Sequence, residues 1–164
     1  MDYKTDREWS DRYLPRIKEI VAHHVITVSP FDIDTKEATD LILFGANPKR
    51  LACRLRRPGY SDKYPYDFTI RSDRLSGAKT EFEKIVNGHA DLLFYGHAAD
   101  DHSDMIARWF LIDLDAFRGQ LILNFEKIKC EKKSNADGTE FYCFDIRSFA
   151  SQPPILISSS HDIN

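Results

Sequence analysis

Hydrophobic positions along this chain change period more than once. From Arg7 to His23, the residues Trp9, Tyr13, Ile17, Ile20 and Val21 recur at three- and four-residue steps, the spacing of one helical face. Pro15 interrupts that pattern. Proline is tolerated in the first turn of a helix, so it predicts an entry turn followed by a helix from about Pro15. Short apolar runs then take over. "VITVSPF" reads as a short strand or extended connector, while "ATDLILFG", "LACRLRR" and "FTIRS" read as three strands. The first ends at a glycine and "ANPKR", the second at Pro58-Gly59.

The clearest unit is "SGAKTEFEKIVNGHADLLFYGHA". Thr80 and Glu83 form a capping box, which satisfies free N–H groups at a helix start. Phe82, Ile85 and Val86 make one apolar face, and Gly88 is placed for a C-terminal cap. "ADLLFYG" is apolar without alternation, as in a strand covered on both faces. Strand–helix–strand spacing predicts a parallel crossover between "FTIRS" and "ADLLFYG". Beyond it, "ARWFLIDL" reads as a strand and "DAFRGQLI" as a short helix opened by Asp115. "KIKCEKK" and "TEFYCFDI" read as a hairpin turning near residues 135–138. The Pro- and Ser-rich "SQPPILISSSHDIN" reads as a tail with a loose end.

The order from about Pro15 to Tyr95 is helix, three strands, helix, strand. It predicts an α/β (α+β) fold, a central mixed sheet flanked by helices, with a C-terminal strand and hairpin extension. Residues 1–150 are expected to form one domain and 151–164 a tail. A hydrophobic content of 42% over 164 residues supports a real core. No apolar run reaches membrane-spanning length, and the charged "MDYKTDREWSDRY" has no signal-peptide core. A cytoplasmic protein, with no membrane partner, is the expectation. Three cysteines form no disulfide framework and no zinc spacing. If Ser134 faces Thr139 in the hairpin, Cys130 faces Cys143; a slip of one residue gives both other partners.

Charge is distributed unevenly. The net charge is −3, yet Lys49 to Lys79 holds nine basic and three acidic residues, about +6 in all. Such a segregated chain can present one positive surface to an anion. Within that window Arg54 and Arg56 share a strand face with Ala52, opposite Leu51, Cys53 and Leu55. Arg54, Arg56 and Arg71 on neighbouring strands would form a guanidinium cluster suited to phosphate oxygens. The competing reading pairs them with Glu19, Glu37, Asp40 and Glu81 inside the fold. Tyr60, Tyr64 and Tyr66, interleaved with Arg57 and Lys63, have the composition of a base-stacking loop or of a cap on the core edge. Arg74 and Lys84 complete the candidate nucleic-acid contacts, although Lys84 with Glu81 also reads as a surface pair. "HAADDHSD" reads as a solvated loop more readily than as a metal site.

This element order resembles the core of the PD-(D/E)XK nuclease superfamily, an αβββαβ arrangement. The resemblance implies an Asp at the start of one strand and an acid-x-Lys triplet on the next, together holding a divalent metal against a phosphodiester. Asp40 opens "TDLILFG" and matches the first acid. Ala52 stands where the second acid would be and Arg54 where the Lys would be, so the motif is degenerate. The resemblance implies Asp40, Arg54 and Arg56 as the catalytic set, and magnesium held by Asp40 with Glu19 or Glu37, or with Asp67 or Asp73 as the migrated acid. The quoted strands together with "TEFEKIVNGHADLLFYG" also resemble small uncharacterised proteins of bacteriophages and mobile elements. The function implied is a nucleic-acid-acting or nucleic-acid-binding protein, with DNA favoured over RNA, in a bacterium or phage-infected host. The alternative is a protein-interaction module, such as a phage-encoded inhibitor of a host enzyme. Its support is the acidic stretch from Thr80 onward, with 14 acids against 8 bases.

Overall fold

A computed structural model describes residues 3–28, 41–43, 49–73 and 80–163. The chain divides into two compact units, residues 1–49 and 50–164. In the first, the helical pattern breaks at residues 12–13, just before Pro15, into α1 (Tyr3–Asp11) and α2 (Leu14–Val25). Pro15 occupies the first turn of α2, where a missing N–H costs nothing. Tyr13 and Ile17 are the fully buried members of the pattern. Strands β1 (Ile26–Val28) and β2 (Leu41–Leu43) pair antiparallel.

The second unit runs β3 (Leu51–Arg56), α3 (Tyr60–Lys63), β4 (Asp67–Asp73), α4 (Glu81–Val86), β5 (Leu92–Ala98) and β6 (Ile106–Asp113). It continues with α5 (Leu114–Asn124), β7 (Cys130–Ser134), β8 (Glu140–Asp145) and β9 (Leu156–Ser159). These strands build a four-stranded mixed sheet, β3-β5-β6-β9, and a three-stranded antiparallel sheet, β4-β8-β7. The architecture is mixed α/β, as the hydrophobic pattern predicted. Among the described residues no helix is long and apolar enough to cross a membrane.

The expected crossover is not the one formed. β5 lies parallel to β3, and β4 leaves that sheet to pair antiparallel with β8. The reason lies in the side-chain pattern. β4 places Phe68 and Ile70 on one face and Asp67, Thr69 and Arg71 on the other, the pattern of an antiparallel sheet with one polar face. β8 matches it, with Phe144 opposite Phe68 and Tyr142 opposite Ile70. β5 is buried along its whole length and needs cover on both faces.

Three smaller expectations are also corrected. The helix read as opening at Asp115 is capped by Asp113, whose carboxylate accepts the N–H groups of Asp115 and Ala116. The hairpin register is slipped by one residue from the one considered: Ser134 faces Glu140, Cys130 faces Phe144 and Cys143 faces Glu131. Its turn closes on an Asn135–Thr139 backbone bond, with Gly138 at φ 78° in the left-handed region. The segment expected as a tail carries a strand. β9 pairs with β6, and Ile155 buries beside it, because "ILIS" offers apolar side chains and free backbone groups to a sheet edge.

One apolar cluster draws on both sheets and on α5. Phe68 stacks on Phe144 at 5.3 Å and meets Phe117 edge-on at 5.9 Å, while Leu93, Tyr95, Phe110 and Ile112 come from the four-stranded sheet. The capping box on α4 forms as predicted, and Asn87 with Gly88, at φ 74°, ends that helix.

Candidate anion-binding cleft

Parallel pairing of β3 and β5 sets Arg54 beside Tyr95 and Arg56 beside His97. Arg56 is the last residue of β3, and His97 is the second last of β5. Both therefore lie at the carboxyl ends of parallel strands, where α/β folds commonly leave a crevice. The polar face of the three-stranded sheet supplies Asp67, Thr69, Phe141, Cys143 and Lys133. Between β3 and β4, Gly59 turns the chain at φ 83°, so that Tyr60 and Tyr64 form a rim. Together these residues enclose a cleft with about 200 Å³ of room for water.

The cleft is lined by more positive than negative side chains. The Arg56 guanidinium lies 4.6 Å from the centre of the Tyr60 ring, a cation–π contact. Among the described residues no carboxylate pairs with Arg56. Lys133 Nζ stands 5.8 Å from the Tyr64 ring and 3.1 Å from a Glu131 oxygen. The hydroxyls of Thr69 and Tyr95 are 3.2 Å apart.

His97 is only 1% exposed, and its Nδ1 has no hydrogen-bond partner among the described residues. Burial, and then the charges of Arg56, Arg108 and His161, push its pKa down to about 4, so the ring is neutral at pH 7. Cys143 Sγ lies 3.4 Å from a carboxylate oxygen of Asp67. Burial first, and then that carboxylate, push the thiol up to about 12. A thiol held protonated in this way is no nucleophile at neutral pH.

Of the residues anticipated from sequence, Arg56 and Tyr60 meet in this cleft. Arg54 is engaged elsewhere. It pairs with Glu81 at the start of α4, and the same carboxylate oxygen accepts the Arg71 N–H at 3.1 Å. Arg57 stands 3.7 Å from Asp101, and Lys84 is exposed on α4. Glu19 pairs with Arg16 at 2.8 Å along α2, within the first unit. Asp40, Glu37 and Arg74 lie outside the described residues. In "HAADDHSD", Asp100 accepts the N–H groups of His102 and Ser103 and the Ser103 hydroxyl. That loop is thus held by its own carboxylate.

Among the described residues no three His, Cys, Asp or Glu side chains come together to hold a metal ion. Asp40 and Glu37, which the nuclease resemblance assigns to magnesium, lie outside those residues. The sequence reading missed Thr69, Tyr95 and Lys133, and it placed His97 in the loop "HAADDHSD", whereas it belongs to β5. Only His97 left a signal, as a polar residue closing an otherwise apolar strand, "LLFYGHA". No family model matches this chain, and no curated protein or solved structure is significantly similar to it.

Proposed function

We propose that the second unit binds nucleic acid and that the cleft at the end of β3 and β5 holds a phosphate. The observation that carries this reading is Arg56, half-buried, stacked on Tyr60 and without a carboxylate partner among the described residues. A guanidinium in a half-enclosed site is costly unless something anionic meets it, and its planar fork matches phosphate oxygens. Lys133 adds a second charge, and the hydroxyls of Thr69 and Tyr95 offer neutral donors. Binding is the activity these residues support, and no cleavage step is assigned to them.

The test is fluorescence anisotropy with a labelled single-stranded DNA, its RNA counterpart and a duplex between 50 and 200 mM salt, roughly the range over which phosphate contacts lose their hold. Affinity should fall linearly on a log–log plot against salt, and Arg56→Ala should flatten the slope by about one phosphate contact. Salt-insensitive binding, or an Arg56→Ala protein indistinguishable from wild type, would count against the reading.

A second reading, docking on another protein, draws on Ile122, Leu123 and Phe125, which are 83%, 78% and 57% exposed at the end of α5. Leu123→Glu would separate the two, leaving oligonucleotide affinity intact while abolishing capture of such a partner.

A further inference from the structure

We propose that the cleft receives the terminal phosphate of an unpaired strand, a phosphomonoester, in preference to a phosphodiester within the chain. This rests on the reading above, that the cleft meets nucleic acid, and narrows it to strand ends. The first argument is size. About 200 Å³ is less than the roughly 300–1,000 Å³ of ordinary small-molecule sites, leaving room for one phosphate and about one attached ring. A strand end fits that space with its last residue inside.

Charge is the second argument. An internal phosphodiester carries one negative charge, whereas a terminal phosphate carries about −1.5 to −2 at pH 7 and a further unesterified oxygen. The cleft offers Arg56, which no described carboxylate pairs with, and Lys133, whose pair with Glu131 is exposed and therefore weak, against the carboxylate of Asp67. The additional charge of a monoester is thus met by a cation.

The cleft also holds unused hydrogen-bonding capacity. His97 is neutral and buried, lines the cleft, and has a ring nitrogen that nothing among the described residues satisfies. Native folds seldom leave such a group unpaired. The neutral imidazole and the Thr69 and Tyr95 hydroxyls line the same cleft and are uncharged partners for a phosphate oxygen that bears no ester.

Anisotropy with four eight-nucleotide DNAs, each labelled internally, tests this: 5′-phosphorylated, 3′-phosphorylated, unphosphorylated and circularised. One phosphorylated end should bind at least ~tenfold tighter than the unphosphorylated strand and the circle, the range expected for one charge-assisted hydrogen bond. That advantage should disappear in Arg56→Ala and shrink in His97→Gln, with circular dichroism confirming that both variants are folded. Arg56→Gln, which keeps most of the side-chain stem, serves if Arg56→Ala is not. Equal, Arg56-dependent affinity for all four DNAs would overturn the strand-end assignment while leaving nucleic-acid binding intact. No binding of any DNA would overturn both. A terminal-phosphate preference that survives Arg56→Ala would place the phosphate elsewhere and also overturn the proposal. Unlabelled deoxyadenosine monophosphate competing as well as the phosphorylated eight-mer would reassign the cleft to free nucleotides.

Discussion

Acid should weaken this fold well before its carboxylates titrate, and His97 should be the main reason. In the folded protein His97 titrates near 4, lowered first by burial and then by Arg56, Arg108 and His161, against 6.5 as its ordinary value. Between those two values the unfolded chain binds a proton that the folded chain refuses. Stability is therefore level above about pH 7 and falls as the pH drops from 6.5 toward 4. The gap of about 2.5 units corresponds to a loss of about 2 kcal/mol by pH 5 and about 3 kcal/mol by pH 4. His161, lowered first by its own burial and then by Arg108, acts in the same direction. Asp145 is held below its ordinary value of 3.8, mainly by hydrogen bonds from Arg147, so its contribution is lost only as the pH falls below about 4. The interval between 4 and 6.5 thus belongs to the histidines. Urea denaturation at pH 7, 6, 5 and 4.5 reads the effect. His97→Gln should lower stability at pH 7 yet flatten its decline toward pH 5. Parallel pH profiles for wild type and His97→Gln would refute the reasoning, as would a wild-type profile level from pH 7 to 5.

Four further outcomes follow from particular contacts. Glu81→Gln removes the carboxylate that holds Arg54 and the Arg71 N–H, both partly buried. It should cost about 1–3 kcal/mol in urea unfolding, and Arg54→Met should also destabilise, because either change leaves the other partner unpaired. Thr80→Ala deletes the cap of α4 and should cost about 1 kcal/mol by the same assay. Phe68→Ala opens a void among Phe117, Phe144 and Tyr95 and should cost about 3–5 kcal/mol, seen as a lowered thermal midpoint. Cys130 and Cys143 sit on opposite faces of their hairpin, so mild oxidation of the folded protein should give no internal crosslink by mass spectrometry under non-reducing conditions.

Local chemistry was readable from the chain because it acts over a few residues. The capping box at Thr80 and Glu83, the break just before Pro15, the turn at Gly59 and the strands themselves each follow from side chains within one or two turns of the residue concerned. The unbroken apolar run of β5 announced a strand covered on both sides, and that is its environment. Alternation in "LACRLRR" placed Arg54 and Arg56 on one face, and the pairing with Tyr95 and His97 agrees.

Which strands became neighbours was a different matter, because it depends on matching surfaces far apart in sequence. β4 had two available partners, and the fit of Phe68 to Phe144 and Ile70 to Tyr142 carried it out of the sheet that β5 joined. The same long-range choice separated two arginines that read alike. Arg54 came within reach of Glu81 on α4 and was neutralised, while Arg56, two residues on, passed the edge of the core and met Tyr60 instead. Sequence alone thus determined the periodicities, caps and turns, together with the concentration of positive charge in one window. Tertiary structure decided which of those charges an internal carboxylate would consume and which would be left at the mouth of a cleft, because the pairing of a charge depends on distance in space and not along the chain.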